Sequence, residues 1–480
     1  MIGSMAKLPS LSLAIVGCLA AFPARLADAA EDEPPTTSVD TALDDAVRKP
    51  TSDAAAERRF EWNVATLEGD YRRIGSTNAA WDAQATEALA LFARMRCRRG
   101  DMGPLSASFE KAVKAAIGAG CSDPLVKYLN ARFAGGPPMQ ATKTGVGVHV
   151  AAAQALDRSQ YAEIRKYYGC LRAAEALKSA YGTGTNMPPK THQFRRAALA
   201  HLATVLEDRQ TPYEEVHEAC AQLMQEVETN KKQREEFFFA IEAPLFAHWT
   251  DRAGPHLLKG HFYVKYAWQA RGSGMADTVT DGGWKLFGER LALAGLELEL
   301  AWRLDPTDEQ IPLNMMSVEL GQGLGRERLE TWFAHAMKLN PNSYAACMRK
   351  LNYLEPKWHG SPEEMLKFGR ECLDSKEWGG RVPTILAEAR WSLAGYLEED
   401  KRKAYWTRPE VWEDGKASYE TFFRRNPEAV GYRKYYARYA YRCERWEELR
   451  AQLQYIRPAD YEFFGGKAAY DRIVQEAKGR

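Results

Sequence analysis

A short motif recurs near the ends of two successive stretches of this chain. Residues 301–306 read AWRLDP and residues 336–341 read AMKLNP, which places Pro306 and Pro341 thirty-five residues apart. Each motif joins a small alanine, which lets a neighbouring helix pack closely, to an Asp-Pro or Asn-Pro pair, which ends a helix. A repeat of this length predicts stacked pairs of antiparallel helices.

The period is close to the roughly 34 residues of the tetratricopeptide repeat. Phe333 and Ala336 stand where the second helix of such a repeat carries its aromatic and its small residue. A third ending, Asn426-Pro427, precedes a further predicted helix pair over residues 432–455, and an insertion around residues 400–413 shifts the spacing there. We therefore expect tetratricopeptide-like repeats over residues 191–456.

Helical periodicity extends over the chain from Arg58 onward. Leu89, Phe92 and Met95 lie three residues apart, and the same helical stripe is formed by Val216, Cys220, Leu223 and Val227. Such spacings mark helices with one buried face, and no convincing strand alternation accompanies them. The sequence predicts an all-α fold, an α-solenoid of antiparallel helix pairs with no substantial sheet. A helical region at 58–190 and a C-terminal helical tail at 457–480 flank the repeats.

The first residues resemble a secretory signal peptide. Lys7 precedes an apolar run over residues 11–22, and Ala27-Asp28-Ala29 fits a cleavage site, so residues 1–29 are predicted to be removed on export. Residues 15–18 read IVGC, and an alternative is a lipoprotein anchored through Cys18. The polar residues 30–57 are predicted to form a disordered linker. The expected location is periplasmic or secreted.

The charge balance argues against a nucleic-acid partner. The chain has 65 basic and 64 acidic residues, and removal of residues 1–29 takes away Lys7, Arg25 and Asp28. The remaining charges cancel, so no overall positive field attracts nucleic acid or anionic lipid. No later segment is long and apolar enough to predict a transmembrane helix.

A glycine pair in the sequence RGSGMAD, residues 271–277, is reminiscent of a phosphate-binding loop. Such a loop follows a strand and opens a helix, whereas the residues before Arg271 have helical periodicity. Asp277 replaces the third glycine, and no GK[ST] motif follows. We expect Gly272 to end a helix in a left-handed cap, and we expect no nucleotide or other cofactor.

No catalytic or metal-binding motif is evident. His256 and His261 lie five residues apart, which places them on different helix faces. The distance of His248 from them in the sequence does not match a known metal-binding spacing either. There is no GxSxG motif, and Ser108-x-x-Lys111 lacks the companion motifs of the serine enzymes that use it. The sequence predicts no catalytic residue and no metal site.

An alternative function is a helical-toroid enzyme that acts on glycan or peptidoglycan. It would need paired carboxylates beside aromatic side chains. A groove of this kind could be lined by Trp268, Trp284, Trp302, Trp332, Trp358 and Trp378. These tryptophans also suit packing between repeats.

Seven cysteines follow residue 29, and none forms a CxxC pair. Export permits disulfides. Cys347 and Cys372 flank a predicted helical turn at similar heights, so they are the first candidate bridge. Two looser candidates are Cys97 with Cys121 and Cys170 with Cys220, and buried free thiols are the alternative.

Three segments carry a resemblance to a protein family. They read LKGHF at 258–262, AWQARG at 267–272 and YLEPKW at 353–358, the last followed by Gly360-Ser361. They resemble uncharacterised bacterial proteins that have a domain of unknown function together with tetratricopeptide-like helices. The resemblance covers about residues 160–456, as judged from the extent expected of a repeat array. It implies the helical fold and assigns no catalytic residue.

The resulting hypothesis is an exported, non-catalytic scaffold that binds a protein or peptide partner in the cell envelope. Helical-repeat arrays offer extended binding surfaces because each unit contacts its neighbours only. The predicted binding residues surround the long loop after residue 271: His261, Tyr266, Arg271, Asp277 and Trp358.

Overall fold

The computed structural model describes residues 53–133, 141–182 and 187–480. Within these ranges the regular structure is helical and no β-strand is present, which confirms the all-α class. The signal-peptide and Cys18 predictions, and the linker up to residue 52, lie outside the described residues.

The first half of the described chain consists of helices joined by short connections. They are α1 (Asp53–Val64), α2 (Asp70–Ile74), α3 (Asp82–Arg96), α4 (Met102–Gly118), α5 (Pro124–Phe133), α6 (Val146–Asp157), α7 (Glu163–Tyr181), α8 (Pro189–Glu207), α9 (Tyr213–Glu226) and α10 (Lys231–Trp249). A short π-helical segment, Ala65–Gly69, joins α1 to α2. The first helix begins five residues before the expected boundary at Arg58, so the end of the predicted linker is helical.

The second half has the same organisation. Its helices are α11 (Ala253–Arg271), α12 (Asp281–Leu304), α13 (Gln310–Gln322), α14 (Arg326–Leu339), α15 (Tyr344–Tyr353), α16 (Pro362–Asp374), α17 (Ile385–Gly395), α18 (Glu399–Trp406), α19 (Pro409–Arg425), α20 (Arg433–Arg442), α21 (Trp446–Leu453) and α22 (Lys467–Gly479). Among the described residues, no helix combines the length and apolar character that a membrane crossing requires.

Consecutive helices pack against each other along the chain, as the predicted solenoid of helix pairs requires. The most extensive contact joins α11 to α12. Gly260 permits their close approach, because a Cβ atom at this position would lie 2.5 Å from Cγ of Leu298. The missing side chain therefore brings the two backbones together beside the long loop.

The motif endings coincide with helix ends. Helix α12 ends at Leu304 with Asp305 as its C-cap, and α14 ends at Leu339 with Asn340 as its C-cap. Helix α19 likewise ends one residue before Asn426. The predicted insertion contains the short helix α18, which explains the shifted spacing. The stripe from Val216 to Val227 is buried as expected.

A buried ion network ties α1 to α3 and α9. The carboxylate of Glu215 on α9 is fully buried and accepts hydrogen bonds from Arg59 Nε at 2.9 Å and Asn63 Nδ2 at 2.8 Å, both on α1. Arg96 at the end of α3 also pairs with Glu215, and the Tyr168 hydroxyl donates to the same carboxylate at 3.2 Å. Although burial favours protonation, the surrounding arginines hold the pKa of Glu215 well below its usual range.

Candidate interaction surface

Arg271 lies among three tryptophans that come from separate parts of the chain. Its guanidinium carbon is 5.7 Å from the ring centroid of Trp268, 5.4 Å from that of Trp284 and 5.3 Å from that of Trp358. Trp268 precedes Arg271 by three residues on α11, so the two share a helix face. Helix α12 supplies Trp284, and the loop after α15 supplies Trp358. The arrangement is a set of cation–π contacts around one arginine.

The polar atoms of Arg271 are only partly used. Nη1 donates to the carbonyl oxygens of Gly272 at 3.2 Å and Gly274 at 3.1 Å, whereas the buried Nε has no hydrogen-bond partner. No carboxylate in the described ranges forms an ion pair with Arg271. Burial lowers the pKa of this guanidinium from its usual value. Among the described residues, the arginine is therefore held against aromatic rings without a counter-ion.

Exposed apolar side chains lie in the segments that adjoin Arg271 and its tryptophans. Met275 is 71% exposed, Leu324 is 61% exposed and Trp284 is 39% exposed. Leu324 follows Gly323, whose backbone lies against the ring of His359, next to Trp358. Exposed apolar groups that occur together mark interaction sites, unlike isolated ones. We call this region the aromatic–arginine surface; it comprises Trp268, Arg271, Met275, Trp284, Leu324 and Trp358.

The long loop between α11 and α12 is ordered by local contacts. Gly272 ends α11 with φ of 78°, so a glycine is required there, as predicted. Its ψ of 178° differs from the left-handed cap that we expected, because the chain extends away from the helix end. A short 3₁₀ helix over Ala276–Thr278 then leads to α12. Since a helix and not a strand precedes the glycine pair, the loop lacks the setting of a phosphate site.

The structure brings together some of the predicted binding residues but not all. Arg271 and Trp358 are in contact, and Asp277 is exposed in the same loop. Tyr266 lies one to two turns earlier, where the Arg290 guanidinium stacks 3.2 Å from its ring centroid. His261 is about 15 Å from Arg271 along α11, and its Nδ1 donates to Asn314 Oδ1 at 2.8 Å. We therefore exclude His261 from the surface.

The six tryptophans do not form one groove. Trp302 packs against Trp332 with ring centroids 5.7 Å apart, and Trp378 packs against Phe333 at the same distance. Trp268 and Trp284 belong to the aromatic–arginine surface, although they were absent from our predicted binding residues. The three-residue spacing of Trp268 and Arg271 could have indicated that these two side chains meet on one helix face. The approach of Trp284 to Arg271 depends on how α11 and α12 pack, which the sequence does not show.

Two surface pockets have a polar, mainly basic lining. One, of about 490 Å³, is lined by Arg58, Arg209 and Arg252 beside Trp62, Tyr213 and Trp249, and its carboxylate is Glu214. The second, of about 480 Å³, is lined by residues that include His192, Arg195, Lys231 and Lys232. Neither pocket has the pair of carboxylates that glycoside hydrolysis uses.

All seven cysteines in the described ranges are free thiols. Cys347 and Cys372 are fully buried in the same hydrophobic cluster and their thiols interact electrostatically, but no disulfide joins them. Burial and the neighbouring thiol raise the pKa of Cys372.

The two looser cysteine pairings are not formed. Cys97 and Cys121 lie beyond opposite ends of α4, which is about 25 Å long, so this pairing is wrong. Cys170 faces Asp157 and His201, whereas Cys220, on α9, lies near Tyr167 of α7. Helix contact alone does not align two cysteines; their side chains must also point towards each other.

No protein-family model matches the chain, and no curated protein is significantly similar to it.

Proposed function

We propose that the protein is an exported, non-catalytic helical-repeat scaffold that binds a protein or peptide partner through the aromatic–arginine surface. The observation that carries this proposal is Arg271, which three tryptophan rings surround and no described carboxylate neutralises. Tryptophan and arginine are enriched among the residues that dominate binding energy at protein interfaces.

The chemistry of the surface favours a particular kind of partner. A partly desolvated guanidinium gains most from a carboxylate, which forms a charge-assisted hydrogen bond with it. The exposed side chains of Met275, Trp284 and Leu324 offer apolar contacts around that bond. We therefore propose that the partner presents an acidic side chain, or a C-terminal carboxylate, flanked by apolar residues.

Removing the arginine or its tryptophan should abolish capture of the partner. We expect Arg271→Ala and Trp358→Ala each to weaken binding about 30-fold or more, which corresponds to the roughly 2 kcal/mol of a hot-spot residue. Cell-envelope proteins retained by the immobilised chain would be quantified by mass spectrometry. Affinities of acidic and amide-substituted forms of the captured segment would then be measured.

Arg303→Ala is the matched control, because Arg303 is an exposed arginine at the end of α12. Thermal unfolding of all variants separates lost binding from lost structure. Retention of the same partners at the same affinity by both Arg271→Ala and Trp358→Ala would refute the proposed surface.

The glycan-hydrolase alternative requires two carboxylates within catalytic reach, beside tryptophans. The pocket with Trp62 and Trp249 is lined by one carboxylate, Glu214, among three arginines. This lining suits an anion better than a glycosidic bond that needs an acid and a base. We therefore favour the scaffold.

Export and family membership are further parts of the proposal. Residues 1–29 support secretion or a periplasmic location, and Cys18 supports the alternative of a lipid anchor. The segments at 258–262, 267–272 and 353–358 support membership of the family with a domain of unknown function and tetratricopeptide-like helices.

In an oxidising compartment we expect Cys347 and Cys372 to form a disulfide, because both thiols lie in the same buried cluster and interact with each other. Two thiols lose two protons and two electrons to a disulfide oxidant, such as oxidised glutathione. Thiol counting on the unfolded, unreduced protein should then find five reactive thiols among the seven of residues 53–480. A count of seven in the wild type and six in Cys347→Ser would show that no bridge forms, whereas a bridge predicts five and six.

A further inference from the structure

Three side chains with metal-binding atoms converge where α6, α7 and α8 meet. Asp157 is the last residue of α6, Cys170 lies within α7 and His201 lies within α8. Their carboxylate, thiol and imidazole ligand atoms all lie within 4.8 Å of one another. His201 Nε2 is 2.8 Å from Asp157 Oδ1. One oxygen, one sulfur and one nitrogen atom therefore face a common point.

A second carboxylate orients the imidazole from behind. His201 Nδ1 donates to Glu163 Oε2 at 2.6 Å, and Lys166 Nζ donates to the other oxygen of Glu163 at 2.8 Å. A histidine that binds a metal usually donates its other ring N–H to a carboxylate, which fixes the tautomer and the ring orientation. Glu163 thereby directs Nε2 towards Asp157 and Cys170.

We propose that Asp157, Cys170 and His201 bind a divalent transition-metal ion, for which Zn²⁺ is the best match. Zinc accepts sulfur, nitrogen and oxygen ligands together, at about 2.0–2.3 Å, in a tetrahedral arrangement. Ligand atoms in such a site are about 3.3–3.7 Å apart, so small side-chain rotations suffice to close the present cluster. Three protein ligands leave a fourth position for water.

The access of solvent to the cluster agrees with this assignment. Asp157 is exposed and His201 is partly exposed, so an ion can reach the cluster from solvent, while Cys170 is buried behind them.

Sequence patterns gave no sign of the cluster. Its members are separated by thirteen and thirty-one residues and belong to three helices, so neither a CxxC nor an HxxxH spacing arises. The spacing of His248, His256 and His261 predicts no metal site, and the spacing of His201 from its carboxylate neighbours in the sequence gives no metal-binding pattern.

Metal titration of the purified chain tests the site. After treatment with a chelator, we expect the protein to bind one Zn²⁺ per chain by calorimetry. Co²⁺ should bind with a thiolate-to-cobalt charge-transfer band in the near ultraviolet. Cys170→Ser should abolish that band, and Asp157→Asn should weaken Zn²⁺ binding. Glu163→Gln should lower the affinity about 10–100-fold, as loss of an outer carboxylate does.

Cys97→Ser is the matched control, since this partly exposed thiol follows the end of α3, away from the cluster, and its loss should leave the band unchanged. Circular dichroism establishes that each variant is folded. If Cys170→Ser does not fold, the exposed Asp157→Asn variant decides the question by its Zn²⁺ affinity. The proposal is overturned if no stoichiometric ion binds, if the band persists in folded Cys170→Ser, or if Asp157→Asn binds Zn²⁺ as tightly as the wild type.

Discussion

Glu215→Ala is expected to destabilise the fold by about 3–5 kcal/mol, because it leaves buried arginines without their counter-ion. Arg59 and Arg96 both pair with Glu215, and the side chain of Arg96 is 6% exposed. Asn63 and Tyr168 would also lose the acceptor that they share. Chemical denaturation at neutral pH, followed by circular dichroism, measures the loss.

The adjacent Glu214→Ala variant is the control for this experiment. Glu214 is partly exposed in the first turn of α9, so its loss should change the free energy of unfolding by less than about 1 kcal/mol. Equal effects of the two substitutions would contradict a stabilising role of the buried network. Glu215→Gln would separate the contribution of the charge to stability from that of side-chain shape, since glutamine keeps the length of the side chain.

The same carboxylate predicts how stability depends on acidity. The pKa of Glu215 is lowered in the folded state, so its stabilisation is present above the unfolded-state value, about 4.3, and is lost as the pH falls below it. The wild type should therefore lose stability faster than Glu215→Gln between about pH 4.5 and 2.5. Denaturant midpoints for the two proteins across this range provide the measurement.

Arg195→Met is expected to lower the free energy of unfolding by about 3 kcal/mol. Arg195 on α8 donates from Nε to Glu226 Oε1 at 2.9 Å, and both side chains are 2% exposed. Methionine keeps much of the volume but leaves Glu226 with Lys178 as its remaining cation, 2.8 Å away. This remaining pair places the expected effect at the lower end of the range for a broken buried ion pair. Urea denaturation quantifies it.

The neighbouring residue provides the control for Arg195→Met. Arg196 is 64% exposed and pairs with Glu236 at 3.4 Å, so Arg196→Met should change stability by no more than about 0.5 kcal/mol. The two variants carry the same chemical change at successive positions of one helix. If both variants lost a comparable amount of stability, burial of the Arg195–Glu226 ion pair would not determine how much the pair stabilises the fold.

Local sequence features predicted the helical architecture well. The endings at Asp305-Pro306, Asn340-Pro341 and Asn426-Pro427 depend on residues close in the chain, and each coincides with a helix end. The similar distances of Cys347 and Cys372 from the turn between their helices could likewise be estimated from helix geometry, and both residues lie in the same buried cluster. Helix propensity, capping and rise per residue act over short separations, so the sequence contains them directly.

Features that depend on tertiary packing could not be predicted from the sequence. Arg59 and Glu215 are 156 residues apart in the chain, and nothing in either segment specifies the other. Trp284 reaches Arg271 because Gly260 lets α12 approach α11, a contact that periodicity does not reveal. The pairing of Cys97 with Cys121 failed because equal distances from a turn were assumed where a whole helix intervenes.

The link between α1 and α9 has a consequence for synthesis of the chain. Arg59 is made long before Glu215, and synthesis of the 156 residues that separate them takes on the order of ten seconds. Helix α1 therefore gains its buried carboxylate partner only after the chain has been made through α9. The N-terminal end of the fold is thus completed by a residue from near the middle of the chain.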